Sequence, residues 1–416
     1  MRQRSLNPFR MRQFENEIEL ILACSAKNDP PELAVRVDSL VSAGVDWDYI
    51  FKISYRNAVF PLVYSSLLKV APSCLPVDIR ADVLDRLKRH TATNMLFVGH
   101  LFRIKSLFDS KNIPVLSFKG PLLSVQAYGD PTLRMFGDLD LLVQPKHLDN
   151  AISLLEEAGY QPLTTVSWFK RSSLVISRQK DVRFVDRDGQ TILELHWKLS
   201  GSHFGLPKEM NQLWERLELL DIAGTKLPNL SFNDLLIYLC LHGSRHSWER
   251  LSWICDVHHL LLSREKIDWA SIFAESKGLG CENVVALGLR LVNEFFSYKI
   301  PKPFTVPTVQ DQAYDEIVAE IRNRLFASEA VQVQLGDRYT YHLKLKERKR
   351  DRWKIHLHYL AWYLRLMMRP NQMDRDVVKL PRFLYPVYFV TRPVRLIYTY
   401  LRPSVHNSGK KTWRRV

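Results

Sequence analysis

The sequence predicts an α+β chain in which a small mixed sheet is enclosed by helical segments on both sides, and three observations predict it. Over roughly the first hundred positions apolar residues recur at helical spacing, in IELILACSA, ELAVRVDSLVSAG and VFPLVYSSLLKV. Between residues 114 and 200 the period drops to two, giving strands VLSFK, DLDLLV, VRFVD and TILELHW. Beyond residue 230 long helical patterns return in LLIYLCLHGSRHSWERLSWICDVHHLLLS and ENVVALGLRLVNEFFS.

The early helices are separated by Pro and Asn/Asp, and VLDRLKRHTATNMLFVGHLFRIKSLFDSKN then forms a longer one that leads into a strand from Pro114 to Phe118. Short helices follow over PLLSVQAYG and HLDNAISLLEEAGY. DRDGQ joins the last two strands as a hairpin turn, because Gly189 can adopt positive φ. The expected organisation is an N-terminal helical region over 1–95, an α/β core over 96–228, a helical domain over 229–340 and a C-terminal extension over 341–416.

A chain of 416 residues, 46% hydrophobic and 25% charged, has ordinary globular composition and length for two or three domains. Cys24, Cys74, Cys240, Cys255 and Cys281 are odd in number and lack CxxC spacing, which excludes a disulfide framework or zinc ribbon and fits a reducing cytoplasm. The basic start is followed by a helix interrupted by Glu15, Glu17 and Glu19, so no signal peptide is expected. Residues 341–416 hold 19 Lys+Arg against 4 Asp+Glu, so the whole net charge of +15 resides there.

The chemistry concentrates in Arg134-Met-Phe-Gly-Asp138-Leu-Asp140-Leu-Leu-Val143. Side chains alternate along a strand, so Asp138 and Asp140 share one face. Two adjacent carboxylates repel, and a divalent cation with oxygen ligands, commonly Mg²⁺ beside phosphates, relieves the repulsion. Glu194 and His196 share a face of a later strand by the same alternation, and Glu194 reaches the aspartates if the two strands are neighbours. Lys119-Gly120 ends one strand and opens a helix, so an ammonium and backbone N–H groups can face a triphosphate.

The segments FKGPLLSVQAYGD, RMFGDLDLLV, EEAGY, LELHW and LHGSRHSWERLSWICDVHHLL resemble the uncharacterised nucleotidyltransferase family within the polymerase-beta-like superfamily, over residues 15–400. The resemblance implies the superfamily's small mixed sheet. It implies that Asp138 and Asp140 are paired metal ligands, that Glu194 is the third where relatives often have Asp, and that two ions, Mg²⁺ or Mn²⁺, assist transfer of a nucleoside monophosphate from an NTP, ATP included, with pyrophosphate released. Lys119-Gly120 stands where many superfamily members have Gly-Gly or Gly-Ser. The acceptor, a small molecule, peptide or protein, is not specified by the sequence. A catalytically silent nucleotide sensor and a peripheral scaffold are the competing classes.

Arg134 can contact phosphate or hold Asp138 or Asp140. His196 can orient a carboxylate, touch substrate or serve structure. His242 and His246, at i and i+4, form a possible zinc pair without the glutamate that HExxH requires. Plain helix packing is the alternative, and a further reading has Arg245, His246, Trp248, Arg250 and Asp256 lining the cleft opposite the carboxylates. The extension interleaves cations with Trp353, Tyr359, Trp362, Tyr363, Phe383, Tyr385, Tyr388, Phe389, Tyr398 and Tyr400. Packing onto the helical domain is expected first, the inner face of an anionic membrane second and nucleic acid third, with no transmembrane helix.

Overall fold

A computed structural model describes residues 12–163, 180–199, 210–301, 304, 311–331, 333–346, 348–368, 387–389 and 391–392. The chain divides into two compact units, residues 1–349 and 350–416. The first opens with helices α1 (Glu15–Ser25), α2 (Pro30–Ser42), α3 (Trp47–Arg56), α4 (Phe60–Val70) and the 33-residue α5 (Val77–Asp109). Their starts follow from local chemistry. Pro30 and Pro61 occupy first-turn positions where no N–H is needed, and Asp46 caps α3 through the Tyr49 N–H at 2.9 Å.

A five-stranded sheet follows, with β1 (Val115–Ser117), β2 (Asp138–Val143), β3 (Gln161–Pro162), β4 (Asp181–Val185) and β5 (Ile192–His196) in the spatial order β1-β2-β5-β4-β3. Only β2 and β5 pair in parallel; the other neighbours are antiparallel, so the sheet is mixed as expected. Gly189 turns the β4–β5 hairpin at φ +71°. Short α6 (Gly120–Leu123) runs into a π-helical turn over Ser124–Tyr128, and α7 (Leu148–Glu157) follows β2. After α8 (Met210–Glu215), a hairpin of β6 (Glu218–Ile222) and β7 (Thr225–Asn229) leads to α9 (Phe232–Arg245), α10 (Leu251–Leu262), α11 (Trp269–Leu279), α12 (Glu282–Phe296), α13 (Asp311–Leu325) and α14 (Leu335–Lys344).

Two apolar clusters organise the first unit. One joins the C-terminal half of α5 and α7 to one sheet face through Phe97, Leu101, Phe108, Leu139, Leu141, Leu193 and Leu195. The other unites α1–α4 with α9–α13, so residues expected as an N-terminal region and a separate helical domain share a single core. Asn57 fastens it, donating to the Leu325 carbonyl at 2.9 Å and accepting from the Leu251 N–H at 3.2 Å. The expected boundary at 95/96 lies inside α5, which contributes Val83 to one cluster and Phe97 to the other.

All but the first residue of α15 (Lys349–Met368) belongs to the second unit, and Phe383, Tyr385, Tyr398 and Tyr400 lie outside the described residues. No helix among the described residues is long and apolar enough to cross a membrane.

Candidate active site

Three adjacent strands build the site. Asp140 on β2 lies directly opposite Glu194 on β5, and β4 sets Arg183 opposite Glu194 and Asp181 opposite His196. Alternation sends Leu139, Leu141, Val182, Phe184, Leu193 and Leu195 into the apolar cluster beneath the sheet. It leaves Asp138, Asp140, Asp181, Arg183, Glu194 and His196 on the other face.

His196 stands at the centre of this polar face. Its Nε2 is 3.1 Å from Asp140 Oδ1 and 3.3 Å from Glu194 Oε2, and its Nδ1 is 3.7 Å from Asp181 Oδ2. The ring packs edge-on to Phe118 at 5.3 Å. Arg183 reaches Glu194 Oε1 at 2.5 Å from a side chain that is 62% exposed. Asp140, Glu194 and His196 are buried, while Asp138 is half-buried and Arg183 is exposed. Asp138 is one strand step away, opposite Ile192.

The carboxylates titrate apart. Burial and the Asp140 charge raise Asp138. For Asp140 burial pushes upward, but Lys119 and the His196 hydrogen bond prevail and hold it well below the usual carboxylate range. Glu194, likewise opposed by burial, is brought down to about 2 by its hydrogen bond to His196 and the charges of His196 and Arg183. His196 is raised, because its bonds to Asp140 and Glu194 outweigh the cost of burying its charge.

Lys119 precedes Gly120, which takes φ +53° at the first position of α6. The ammonium is 3.6 Å from Asp140 Oδ1 and 5.5 Å from the centre of the Tyr238 ring. Burial would lower its pKa, but Asp140 and Tyr238 raise it. Lys119 therefore borders the carboxylates as a full cation.

Other sequence candidates are placed differently. Arg134, expected to contact phosphate or hold Asp138 or Asp140, is bound to Asp256 instead, its Nε 2.9 Å from Oδ1 and its terminal nitrogen 3.1 Å from Oδ2. Tyr128 completes the cluster with a 2.8 Å hydrogen bond to Asp256. Asp256, expected beside substrate, thus serves a buried ion pair; a guanidinium that deep needs a carboxylate at hand. Trp248, also expected in the cleft, is fully buried against Gly243, where an added Cβ would stand 2.4 Å from the indole. The half-buried His246 ring accepts from Arg245 at 3.0 Å, and burial, then Arg245, lower its pKa to about 3. Among the described residues no third ligating side chain joins His242 and His246, so their 4.9 Å approach is helix packing.

Sequence reasoning overlooked Asp181, Arg183 and Tyr238. For the first two a signal existed, since DVRFV alternates and puts both on the polar face. Tyr238, within an apolar helix, carried none.

Whether the site suits a divalent ion is a question of donors. One ligand atom each from Asp140, Glu194 and His196 lies within 4.8 Å of the others, all buried. Two carboxylates and an imidazole converging from separate strands are a cation-ligand set, and the residues fit.

The family described as "Uncharacterised nucleotidyltransferase" matches residues 43–297, more than half of the chain and all of the five-stranded sheet. A crystal structure of an antigenic nucleotidyltransferase-like protein from Paracoccidioides brasiliensis is similar at 15% identity and a TM-score of 0.32, covering 56% of this chain and 93% of that one. No curated protein matches.

Proposed function

This chain belongs to the uncharacterised nucleotidyltransferase family, and from that premise we propose that it transfers a nucleoside monophosphate from a nucleoside triphosphate to a hydroxyl of a small-molecule, peptide or protein acceptor. The acceptor oxygen bonds to the α-phosphorus, the α–β phosphoanhydride breaks, pyrophosphate leaves and the hydroxyl proton is lost. The observation that carries this reading is the parallel register that sets Asp140 beside Glu194 and turns both away from the apolar cluster.

In this reading Asp138, Asp140 and Glu194 hold two divalent ions, Mg²⁺ or Mn²⁺. Bound ions would make an acceptor hydroxyl more acidic and neutralise charge on the leaving pyrophosphate. Lys119 and the backbone at Gly120 are assigned to triphosphate oxygens, because Lys119 is a full cation beside Asp140. Arg183 can swing outward from Glu194 and so admit the nucleotide. Incubation of the full chain with each α-labelled triphosphate, Mg²⁺ or Mn²⁺ and candidate acceptors tests the proposal beside the Asp138→Ala/Asp140→Ala variant. Label on an acceptor that disappears in the variant is the expected result. Label that survives in it would reject the site, and triphosphate binding with no transfer to any acceptor would favour a silent sensor.

The basic extension supports a peripheral membrane site. Trp353, Leu357, Leu360 and Leu364 on α15 are exposed at i, i+4, i+7 and i+11 spacing, one line along the helix, with Lys349, Arg350, Arg352 and Lys354 around its start. An apolar stripe beside cations suits an anionic bilayer surface. Flotation of the full chain should occur with phosphatidylglycerol vesicles and fail for Trp353→Glu/Leu360→Glu. Equal flotation of the variant would exclude the stripe.

A further inference from the structure

Resting on the nucleotidyltransferase reading, we propose that His196 Nε2 is a direct ligand of the ion held by Asp140 and Glu194, so that the site is a mixed Asp–Glu–His centre that selects Mn²⁺ over Mg²⁺. Three observations converge on it. The ring is buried, and its Nε2 stands 3.1 Å from one carboxylate and 3.3 Å from the other, close enough for one ion to contact all three. The orientation is fixed twice, by the edge of Phe118 on the ring and by the strand register that sets Asp181 directly opposite His196.

The third observation concerns the far nitrogen. Nδ1 is buried with no hydrogen-bond partner, and Asp181 Oδ2 is 3.7 Å away, just beyond bonding distance. Histidines that bind metal through one nitrogen usually donate the other N–H to a carboxylate, which sets tautomer and ring angle. A small movement of Asp181 onto Nδ1–H would complete that arrangement and leave Nε2 with its lone pair toward the ion. Asp181 is then a positioning residue.

Ligand chemistry sets the metal. Mg²⁺ prefers an all-oxygen octahedron and retains its waters, whereas a nitrogen donor gains more from ions further along the first transition series. Mn²⁺ accepts both oxygen and imidazole, and it is the member of that series that also suits triphosphate oxygens. Replacing one oxygen by His196 Nε2 therefore shifts preference toward Mn²⁺. Lys119, 3.6 Å from Asp140, adds a positive charge that weakens binding of any divalent ion without discriminating between them.

The test is pulsed electron paramagnetic resonance and titration of Mn²⁺ on the full chain with a non-hydrolysable triphosphate. The wild type should show nuclear modulation from directly bound nitrogen-14 and bind Mn²⁺ at least about tenfold more tightly than Mg²⁺, a difference of about 1.4 kcal/mol. His196→Ala should lose the modulation and the preference together, and Asp181→Asn should weaken Mn²⁺ with the modulation retained. Should His196→Ala not fold, wild-type protein carrying nitrogen-15 histidine replaces it, and the pattern must change to that of nitrogen-15. Mn²⁺ binding that depends on Asp140 but shows no nitrogen modulation overturns the inference and leaves the carboxylate reading standing. No Mn²⁺ bound at all overturns both.

Discussion

Two buried charge clusters flank β2, and they are built on opposite principles. At Arg134 and Asp256 one buried cation meets one buried anion through well-formed hydrogen bonds, and half-buried Tyr128 completes the set. At Asp138, Asp140 and Glu194 like charges converge, and the cations that balance them can yield: Lys119 is 3.6 Å from its partner, and Arg183, although 2.5 Å from Glu194, is largely exposed. The first arrangement satisfies itself and rigidifies the approach to β2. The second leaves a charge imbalance that a divalent ion can resolve. Buried charge alone does not mark a functional site, whereas convergence of like charge with yielding counter-ions does.

The comparison can be broken first at Asp140. Asp140→Ala should lower nucleotide transfer by about a thousandfold or more, equivalent to about 4 kcal/mol or more of activation free energy, measured as label incorporated per minute. A loss under about tenfold would mean that the acidic cluster is structural too. Asp256→Ala should instead act on stability, costing about 3–5 kcal/mol because it strands Arg134 unpaired. The paired change Arg134→Met/Asp256→Leu should recover much of that loss in thermal unfolding; no recovery would assign Asp256 a role beyond the pair.

Acid supplies a broader test. His246 and His258 are kept neutral chiefly by burial, with pKa values lowered to about 3 from an ordinary 6.5. As pH falls below 6.5 the unfolded chain binds protons that the folded chain refuses until about 3, so stability rises with pH across this window and falls on acidification. Each histidine should cost up to about 2 kcal/mol by about pH 5, read as a falling midpoint in thermal scans; a flat profile would contradict their buried neutrality. The smallest expected effect is at Asn94, which donates to the carbonyls of Pro131 at 2.7 Å and Arg134 at 2.9 Å and tethers the segment entering β2. Asn94→Ala should destabilise by about 0.5–1.5 kcal/mol, and a neutral result would show that the segment's other contacts, His90 to the Thr132 carbonyl at 2.9 Å among them, hold it.

The sheet was legible because its strands alternate cleanly and its hairpin turn contains a glycine that takes positive φ. The carboxylates of Asp138, Asp140 and Glu194 were legible as residue types on one face, but their meeting depends on β2 and β5 lying side by side in parallel, a long-range pairing that no local pattern encodes. The β6–β7 hairpin escaped notice because its turn residues, Ala223 and Gly224, are a weak signal and Pro228 interrupts the second strand. The partner of Arg134 was hidden for a related reason: Asp256 is 122 positions away on a helix, and only the tertiary fold shows that the guanidinium faces it rather than Asp138. Trp248 was expected to line the cleft, yet Gly243 five residues earlier leaves room for it in the core.

The central claim is that Asp140 and Glu194 share a divalent ion against a triphosphate. Crystals of the full chain soaked with Mn²⁺ and a non-hydrolysable triphosphate, measured for anomalous scattering, test it most directly. The account predicts a manganese peak within about 2.2 Å of oxygens from both carboxylates and of a phosphate oxygen. A triphosphate bound with its manganese elsewhere, and Asp140 still paired with Lys119 and His196, would contradict it.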